Sequence, residues 1–185
     1  AINAILLREA RAGRRVVRLK GGDPLIFGRG GEEQEFLMRE GVAVEIVPGI
    51  TAANGCAAAA GIPLTHRDHA HAMTIVTGHG RDGEPDLDWA ALARLRQTLI
   101  VYMGATVAAK IAHRLMTHGM DPATPVAVIA NGTRPEQTVH TGQLSQLGSL
   151  AASGAEGAPA VLVIGEVARK ADAWAAADTP CAAAI

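Results

Sequence analysis

The stretch 16–33, VVRLKGGDPLIFGRGGEE, constrains this chain more than any other, because it alternates an apolar run with two glycine clusters. Its β-branched start predicts a strand. The turn 21–24 then breaks the run, since its glycines permit left-handed backbone and close approach of a ligand, and its proline fixes the chain direction. After the second cluster, Glu32 and Glu33 suit the positive end of a helix dipole. The stretch therefore predicts a strand, a rigid loop, a glycine-rich loop and a helix.

This spacing differs from two familiar phosphate sites. The dinucleotide fingerprint needs G-x-G-x-x-G directly between a strand and a helix, and a P-loop needs a following G-K-[ST]. Neither pattern fits the glycines at 21–22 and 28–31. We therefore do not predict nucleotide binding of either kind.

Composition narrows the class of protein. With 185 residues, 49% hydrophobic and 19% charged, the chain is long and apolar enough for a globular core. A net charge of −1 gives no reason to expect a nucleic-acid surface. The sequence contains no run of eighteen apolar residues, so it predicts no membrane-spanning helix. Two cysteines, Cys56 and Cys181, argue against a disulfide scaffold and favour a reducing, cytoplasmic compartment.

Helical and extended patterns alternate along the chain, which predicts an α/β fold with a mainly parallel sheet in a first lobe and a mixed sheet in a second. We expect lobes at 1–65 and 66–167, followed by an alanine-rich tail at 168–185. The predicted helices are 1–12, 33–39, 52–60, 89–95 and 108–118. The predicted strands are 16–19, 42–47, 72–76, 98–103, 126–129, 137–141 and 160–164.

Five motifs follow one another in this order: GGDP-x-x-FGRGGEE, PGITAA at 48–53, PLTHRD at 63–68, YMG at 102–104 and NGT at 131–133. Together they closely resemble the tetrapyrrole methylase family, and in particular its branch acting on uroporphyrinogen III. The resemblance covers residues 3–167. Leu25 stands where the motif has an aromatic residue, which keeps an apolar group. The resemblance implies the two-lobed fold of that family.

The resemblance also implies S-adenosylmethionine as the cofactor. Glycine-rich main chain and apolar side chains can hold it with few charges, and we expect Asp23 near its amino group. A strong anion at the sulfonium would slow methyl transfer, because positive charge is lost there. The cofactor-binding residues implied by the motifs are Gly21, Gly22, Asp23, Ile26, Thr51, Ala52, Met103, Gly132 and Ala160.

The implied reaction is C-methylation of uroporphyrinogen III to precorrin-2, in sirohaem or cobalamin synthesis. The eight carboxylates of this tetrapyrrole favour a cationic cleft, and the candidate substrate-binding residues are Arg29, His66, Arg67 and Arg134. The family resemblance implies a homodimer. Two alternatives stay open: another precorrin methyltransferase of the cobalamin pathway, or an S-adenosylmethionine-binding piece without activity.

Two expectations concern what the sequence lacks. His66, His69 and His71 are spaced H-x-x-H-x-H, but no cysteine or carboxylate spacing accompanies them, so we predict no metal. The chain opens inside a helical pattern without a start signal, whereas the family begins with a strand and a glycine-proline loop. We therefore expect that this opening strand and loop are missing here, together with the acid–base residues that the resemblance implies. No catalytic residue is predicted.

Overall fold

The computed structural model describes residues 2–80, 85–94 and 96–171. The chain forms two compact units, Ala1–Ala52 and Ala53–Ile185, which we call the first and the second unit. Among the described residues, no helix is long and apolar enough to cross a membrane.

Two helices build the described part of the first unit. Helix α1 spans Ile2–Arg11 and α2 spans Gly30–Arg39. The two helices pack against each other, and each buries one leucine, Leu6 and Leu37. Gly13 and Gly41, with φ of 74° and 75°, end the helices in the left-handed conformation that favours glycine. Both helix predictions are confirmed.

The two strands predicted for this unit, 16–19 and 42–47, are wrong for the described residues, which show no backbone ladder there. The prediction of a parallel sheet in the first lobe is therefore also wrong for these residues. An apolar run becomes a strand only where a neighbour supplies ladder hydrogen bonds and a face to bury. Here Val17, Leu19 and Val47 are 79%, 84% and 73% exposed, so the pattern has no sheet to join.

The second unit carries a five-stranded sheet in the order β1-β2-β5-β3-β4. Strands β1 and β2 are parallel, and the β2–β5, β5–β3 and β3–β4 pairs are antiparallel. The mixed sheet predicted for the second lobe is confirmed. The strands are β1 Met73–Thr77, β2 Thr98–Tyr102, β3 Pro125–Ala130, β4 Thr138–Gln143 and β5 Ala160–Ile164.

The described residues between 52 and 171 contain four further α-helices. Asp88 caps α4, since its Oδ1 accepts the Ala91 N–H at 2.9 Å. Helix α6 escaped the sequence analysis, although Leu147 and Ala151 have helical spacing and are both buried. Gly142, a residue type common in turns, lies inside β4, where it pairs with Val126. The helices are α3 Ala52–Ala59, α4 Trp89–Arg94, α5 Ala108–Thr117 and α6 Leu147–Gly154.

The core of the second unit lies between its sheet and these helices. Every residue of β2 and β3 is buried, as expected for strands covered on both faces. Leu115 of α5 and Leu162 of β5 are fully excluded from solvent. In the predicted tail, Ala168 and Ala171 are buried, and residues 172–185 lie outside the described part of the chain.

Candidate functional site

In the first unit, the Asp23 carboxylate fastens two loops. Oδ1 accepts the Leu25 N–H at 2.9 Å, which closes the GGDP turn on itself. Oδ2 accepts the Gly49 N–H at 3.2 Å, which ties this turn to the loop 48–51. A Cβ at Gly49 would lie 2.3 Å from the Gly22 carbonyl oxygen, so only glycine permits this approach. The predicted cofactor residue Asp23 therefore has a structural role in its own loop.

The second glycine cluster packs on Pro24. The Gly30 N–H donates to the Pro24 carbonyl at 2.9 Å, and a Cβ at Gly30 would lie 2.4 Å from the same oxygen. Phe27 and Arg29 adopt left-handed backbone, with φ of 52° and 60°. Close backbone packing on Pro24 thus accounts for Gly28 and Gly30, whereas a Cβ at Gly31 would meet nothing within 4 Å.

Open space remains at the first cluster. A Cβ at Gly21 would meet nothing within 4 Å. Gly22 has φ of 73°, which favours glycine, but the nearest atom to a Cβ there is 3.7 Å away. Ile26 is 37% exposed and Thr51 is buried, while Ala52 begins α3. This loop pair therefore presents bare main chain together with several exposed apolar side chains, among them Leu25, Ile26 and Ile50.

In the second unit, the carboxyl ends of the parallel strands β1 and β2 meet. The Gly78 N–H donates to the Tyr102 carbonyl at 2.7 Å, and a Cβ at Gly78 would lie 2.5 Å from the Gly104 Cα. Between these two contacts Met103 turns into left-handed backbone, with φ of 53° and 51% of its surface exposed. Ligands of α/β sheets bind at such carboxyl ends.

The same sheet edge carries the other predicted residues of this unit. Because Tyr102 pairs with Val161 in the antiparallel register, the residue after β2 lies level with Ala160. Ala160 itself pairs with Ala130, the last residue of β3, and Gly132 follows two residues later. The structure therefore brings Met103, Ala160 and the Gly132 loop to one edge.

Strained backbone shapes the NGT loop at that edge. Asn131 and Thr133 have φ of 50° and 67°. A Cβ on Gly132 would lie 2.2 Å from the Cys56 Sγ of α3, so the loop rests directly on this helix. Burial raises the pKa of the Cys56 thiol, which leaves it a packing group rather than a nucleophile.

Two residues of this edge, Cys56 and Gln137, were missed by the sequence analysis as site residues, and the contact made by Tyr102 of the YMG motif was not predicted. The Tyr102 hydroxyl accepts the Ala53 N–H at 2.5 Å, at the start of α3. Gln137 contacts both Thr133 and Ala59 through its side chain, and Cys56 lies beneath Gly132. Only pairing along the sheet brings these positions together, so no local pattern marks Cys56 or Gln137.

The four predicted substrate residues are spread over both units. Arg29 belongs to the first unit, where its guanidinium lies 3.5 Å from Glu32 and is largely exposed. His66 is half-buried and accepts the Asp68 N–H through Nδ1 at 3.2 Å. Arg67 and Arg134 are exposed. Within the described residues, no group of three or more histidines, cysteines or carboxylates is placed to hold a metal.

Comparison with known proteins identifies relatives along most of the chain. The sequence model of the Tetrapyrrole (Corrin/Porphyrin) Methylases matches residues 1–148. The siroheme synthase of Gluconacetobacter diazotrophicus is 56% identical over 169 residues, covering 91% of this chain and 36% of the relative. That of Neisseria meningitidis serogroup C is 58% identical over 165 residues, covering 89% and 34%. The chain thus spans about a third of these relatives.

Solved structures show the same fold. The uroporphyrin-III C-methyl transferase of Thermus thermophilus, in complex with S-adenyl homocysteine, is 42% identical with a TM-score of 0.77. The match covers 91% of this chain and 73% of that one. A cobalt precorrin-4 methyltransferase is 28% identical with a TM-score of 0.80, covering 90% of this chain and 70% of that one. The predicted α/β fold of this kind is therefore confirmed.

Proposed function

Because the chain belongs to the tetrapyrrole (corrin/porphyrin) methylase family, we propose that it serves S-adenosylmethionine-dependent C-methylation of uroporphyrinogen III to precorrin-2, on the route to sirohaem. The observation that supports this most is the sheet edge of the second unit, where Met103, Ala160 and the Gly132 loop come together. The 42% identity to a uroporphyrin-III C-methyl transferase bound to S-adenyl homocysteine agrees with it.

The residues present fit the proposed cofactor. Gly21 has open space where a side chain would stand, and Ile26 and Met103 keep exposed apolar surface that a methionine stem or an adenine can cover. When bound, S-adenosylmethionine supplies an activated methyl group on a sulfonium. The residues proposed to hold it are Gly21, Gly22, Asp23, Ile26, Thr51, Ala52, Met103, Gly132 and Ala160.

The contribution of the protein is to position the groups and exclude water, since an in-line transfer depends on geometry above all. The two carboxylate oxygens of Asp23 accept the Leu25 and Gly49 N–H groups, which fixes the loop around Gly21. Its negative charge favours the cofactor's ammonium group without needing a direct contact with sulfur.

We propose Arg29, His66, Arg67 and Arg134 as carboxylate partners of the tetrapyrrole. Their support is chemical type and exposure, since Arg67 and Arg134 present their guanidinium groups to solvent and arginine pairs well with carboxylates. No residue of this chain is proposed as the catalytic acid or base.

Assembly, compartment and lobe division are also proposals. A homodimer is expected from the family resemblance, and two-fold contacts are the commonest arrangement of soluble oligomers. Two cysteines suit a reducing cytoplasm. Lobes at 1–65 and 66–167 stay a prediction beside the compact units Ala1–Ala52 and Ala53–Ile185. Light scattering at micromolar concentration tests the dimer, and a monomeric mass contradicts it.

A second candidate is methylation of a later precorrin. It is supported by the TM-score of 0.80 to a cobalt precorrin-4 methyltransferase, although identity to that protein is only 28%. The PLTHRD motif at 63–68 favours uroporphyrinogen III.

One experiment distinguishes these two candidate functions from each other and from a cofactor-binding piece without activity. Titration with S-adenosylhomocysteine measures cofactor binding, and transfer of labelled methyl from S-adenosylmethionine is followed with uroporphyrinogen III and with a precorrin-4 substrate. Binding with label in precorrin-2 supports the proposal. Label only in the later precorrin favours the second candidate. Binding without transfer indicates a cofactor-binding piece, and absence of binding refutes all three.

A further inference from the structure

Helix α3 is fastened at both ends and in its middle to the strand edge of the second unit. At its start the Ala53 N–H meets the Tyr102 hydroxyl, and in its middle Cys56 underlies Gly132. At its end the Gln137 Nε2 donates to the Ala59 carbonyl at 3.2 Å. Two of these contacts, those of Cys56 and Gln137, involve the NGT loop, and Gln137 alone of the two holds it by a hydrogen bond that the structure describes.

The carbonyls of the last helical turn show what the Gln137 amide contributes there. The carbonyl oxygens of Cys56, Ala57 and Ala58 accept N–H groups of residues 60, 62 and 61. The side chain of Gln137 reaches the next carbonyl, that of Ala59. Final helix carbonyls lack partners within the helix, so a donor arriving from another element satisfies one of them.

The same amide holds the loop from the other side. Its Oε1 accepts the Thr133 N–H at 2.7 Å, and Thr133 has φ of 67°, a conformation that costs a threonine energy. Glutamine offers a donor and an acceptor on one rigid group. Gln137 thus fixes a strained loop residue and a helix end relative to each other.

We propose that Gln137 is a positioning residue, which sets the Gly132 main chain for S-adenosylmethionine by clamping the loop 131–133 onto the end of α3. This inference rests on the proposed function, because Gly132 matters here as a cofactor contact. Gln137 touches no reacting group, and its effect passes through the Thr133 N–H and the Cys56–Gly132 contact.

Two substitutions separate its two bonds. Gln137→Ala removes both, whereas Gln137→Glu keeps an acceptor for the Thr133 N–H and loses the donor to Ala59. Glu136→Ala, an exposed neighbour in the same loop, is the matched control. Exchange of the Thr133 amide in the ligand-free protein measures the clamp directly. Titration with S-adenosylhomocysteine, together with the KM values for S-adenosylmethionine and the tetrapyrrole, measures its effect on cofactor binding.

We expect Gln137→Ala to lose protection of the Thr133 amide, to bind S-adenosylhomocysteine about tenfold more weakly and to raise KM for S-adenosylmethionine, with KM for the tetrapyrrole unchanged. Gln137→Glu should keep the amide protected and lose less affinity. Glu136→Ala should match the wild type in every readout.

Unchanged exchange at Thr133 in Gln137→Ala overturns the clamp. Lost protection with unchanged affinity, or equal rises in both KM values, overturns the positioning role and leaves Gln137 a stabilising residue. If wild-type protein binds no S-adenosylhomocysteine, the cofactor assignment fails and the positioning role with it, while amide exchange still decides whether the clamp exists.

Discussion

Among the described residues, five non-glycines have positive φ: Phe27, Arg29, Met103, Asn131 and Thr133. All of them lie in loops that carry the family motifs. Left-handed backbone costs such residues energy, so it persists only where the surrounding contacts hold it. At the residue scale, the candidate site is therefore formed by backbone shape more than by side-chain charge.

The two neighbouring glycines of the GGDP turn should respond differently to the same added methyl group. Gly22→Ala forces alanine into φ of 73° and should cost roughly 1–2 kcal/mol of unfolding free energy. Gly21→Ala meets nothing within 4 Å, so stability should stay the same while S-adenosylhomocysteine affinity falls about tenfold. Urea unfolding and titration measure the pair. Unchanged affinity in Gly21→Ala would remove this turn from the proposed site.

Gly132→Ala tests the contact between the NGT loop and α3. The added Cβ would lie 2.2 Å from the Cys56 Sγ, and overpacking of this kind costs roughly 1–3 kcal/mol. Adding Cys56→Ala removes the sulfur and leaves the Cys56 Cβ at 2.9 Å as the next contact. The double variant should therefore lose less stability than the sum of the two single ones. Strict additivity in urea unfolding would show that the two residues do not touch.

At the element scale, an ion cluster anchors the segment 14–20 to α2. The Lys20 Nζ lies 2.9 Å from the Glu33 Oε2, with both side chains largely buried, and the Arg18 Nε lies 3.4 Å from Oε1. Burial favours the neutral acid, but the hydrogen bond and charge of Lys20, helped by Arg18, outweigh it and lower the pKa of Glu33. The segment is thus held by charge where no ladder forms.

This cluster predicts an acid-sensitive first unit. A lowered pKa in the folded state means that ionised Glu33 adds stability above the ordinary value of 4.5. That stability is lost as the pH falls through the lower folded pKa. Glu33→Gln should flatten this part of the stability–pH curve. Amide exchange in residues 14–39, recorded as a function of pH, measures that stability. Glu35→Gln, whose partner Arg39 is exposed, should leave the curve unchanged, and a flattening of equal size there would contradict the assignment.

At the scale of the whole molecule, nearly all of the buried apolar residues that the structure describes belong to the second unit, in its sheet and helices. Leu162 pairs with Val101 and Val128 and is fully buried. Leu162→Ala should therefore cost about 2–5 kcal/mol, by lost burial plus the cavity left behind. Val17→Ala, at a residue that is 79% exposed, should change stability by less than about 0.5 kcal/mol. Comparable losses in urea unfolding would mean that Val17 is covered in solution.

The sequence by itself determined the helices with complete local signals. Helix α2 begins within its glycine cluster, at Gly30, and ends before Gly41, and Asp88 caps α4, because caps and left-handed glycines act within a few residues. It also determined the motifs and hence the family, since these glycines, prolines and small residues stand at fixed spacing. The mostly apolar runs of β2, β3 and β5 likewise predicted strands, because strands buried on both faces need no alternation.

Only the tertiary structure decided which apolar runs pair. The run 16–19 reads as a strand yet has no ladder among the described residues, while Gly142 reads as a turn yet lies inside β4. Strand formation is a property of two segments, so one segment's pattern cannot fix it. The roles of Tyr102, Cys56 and Gln137 depend on sheet register for the same reason, since register brings residues far apart in the chain to one edge.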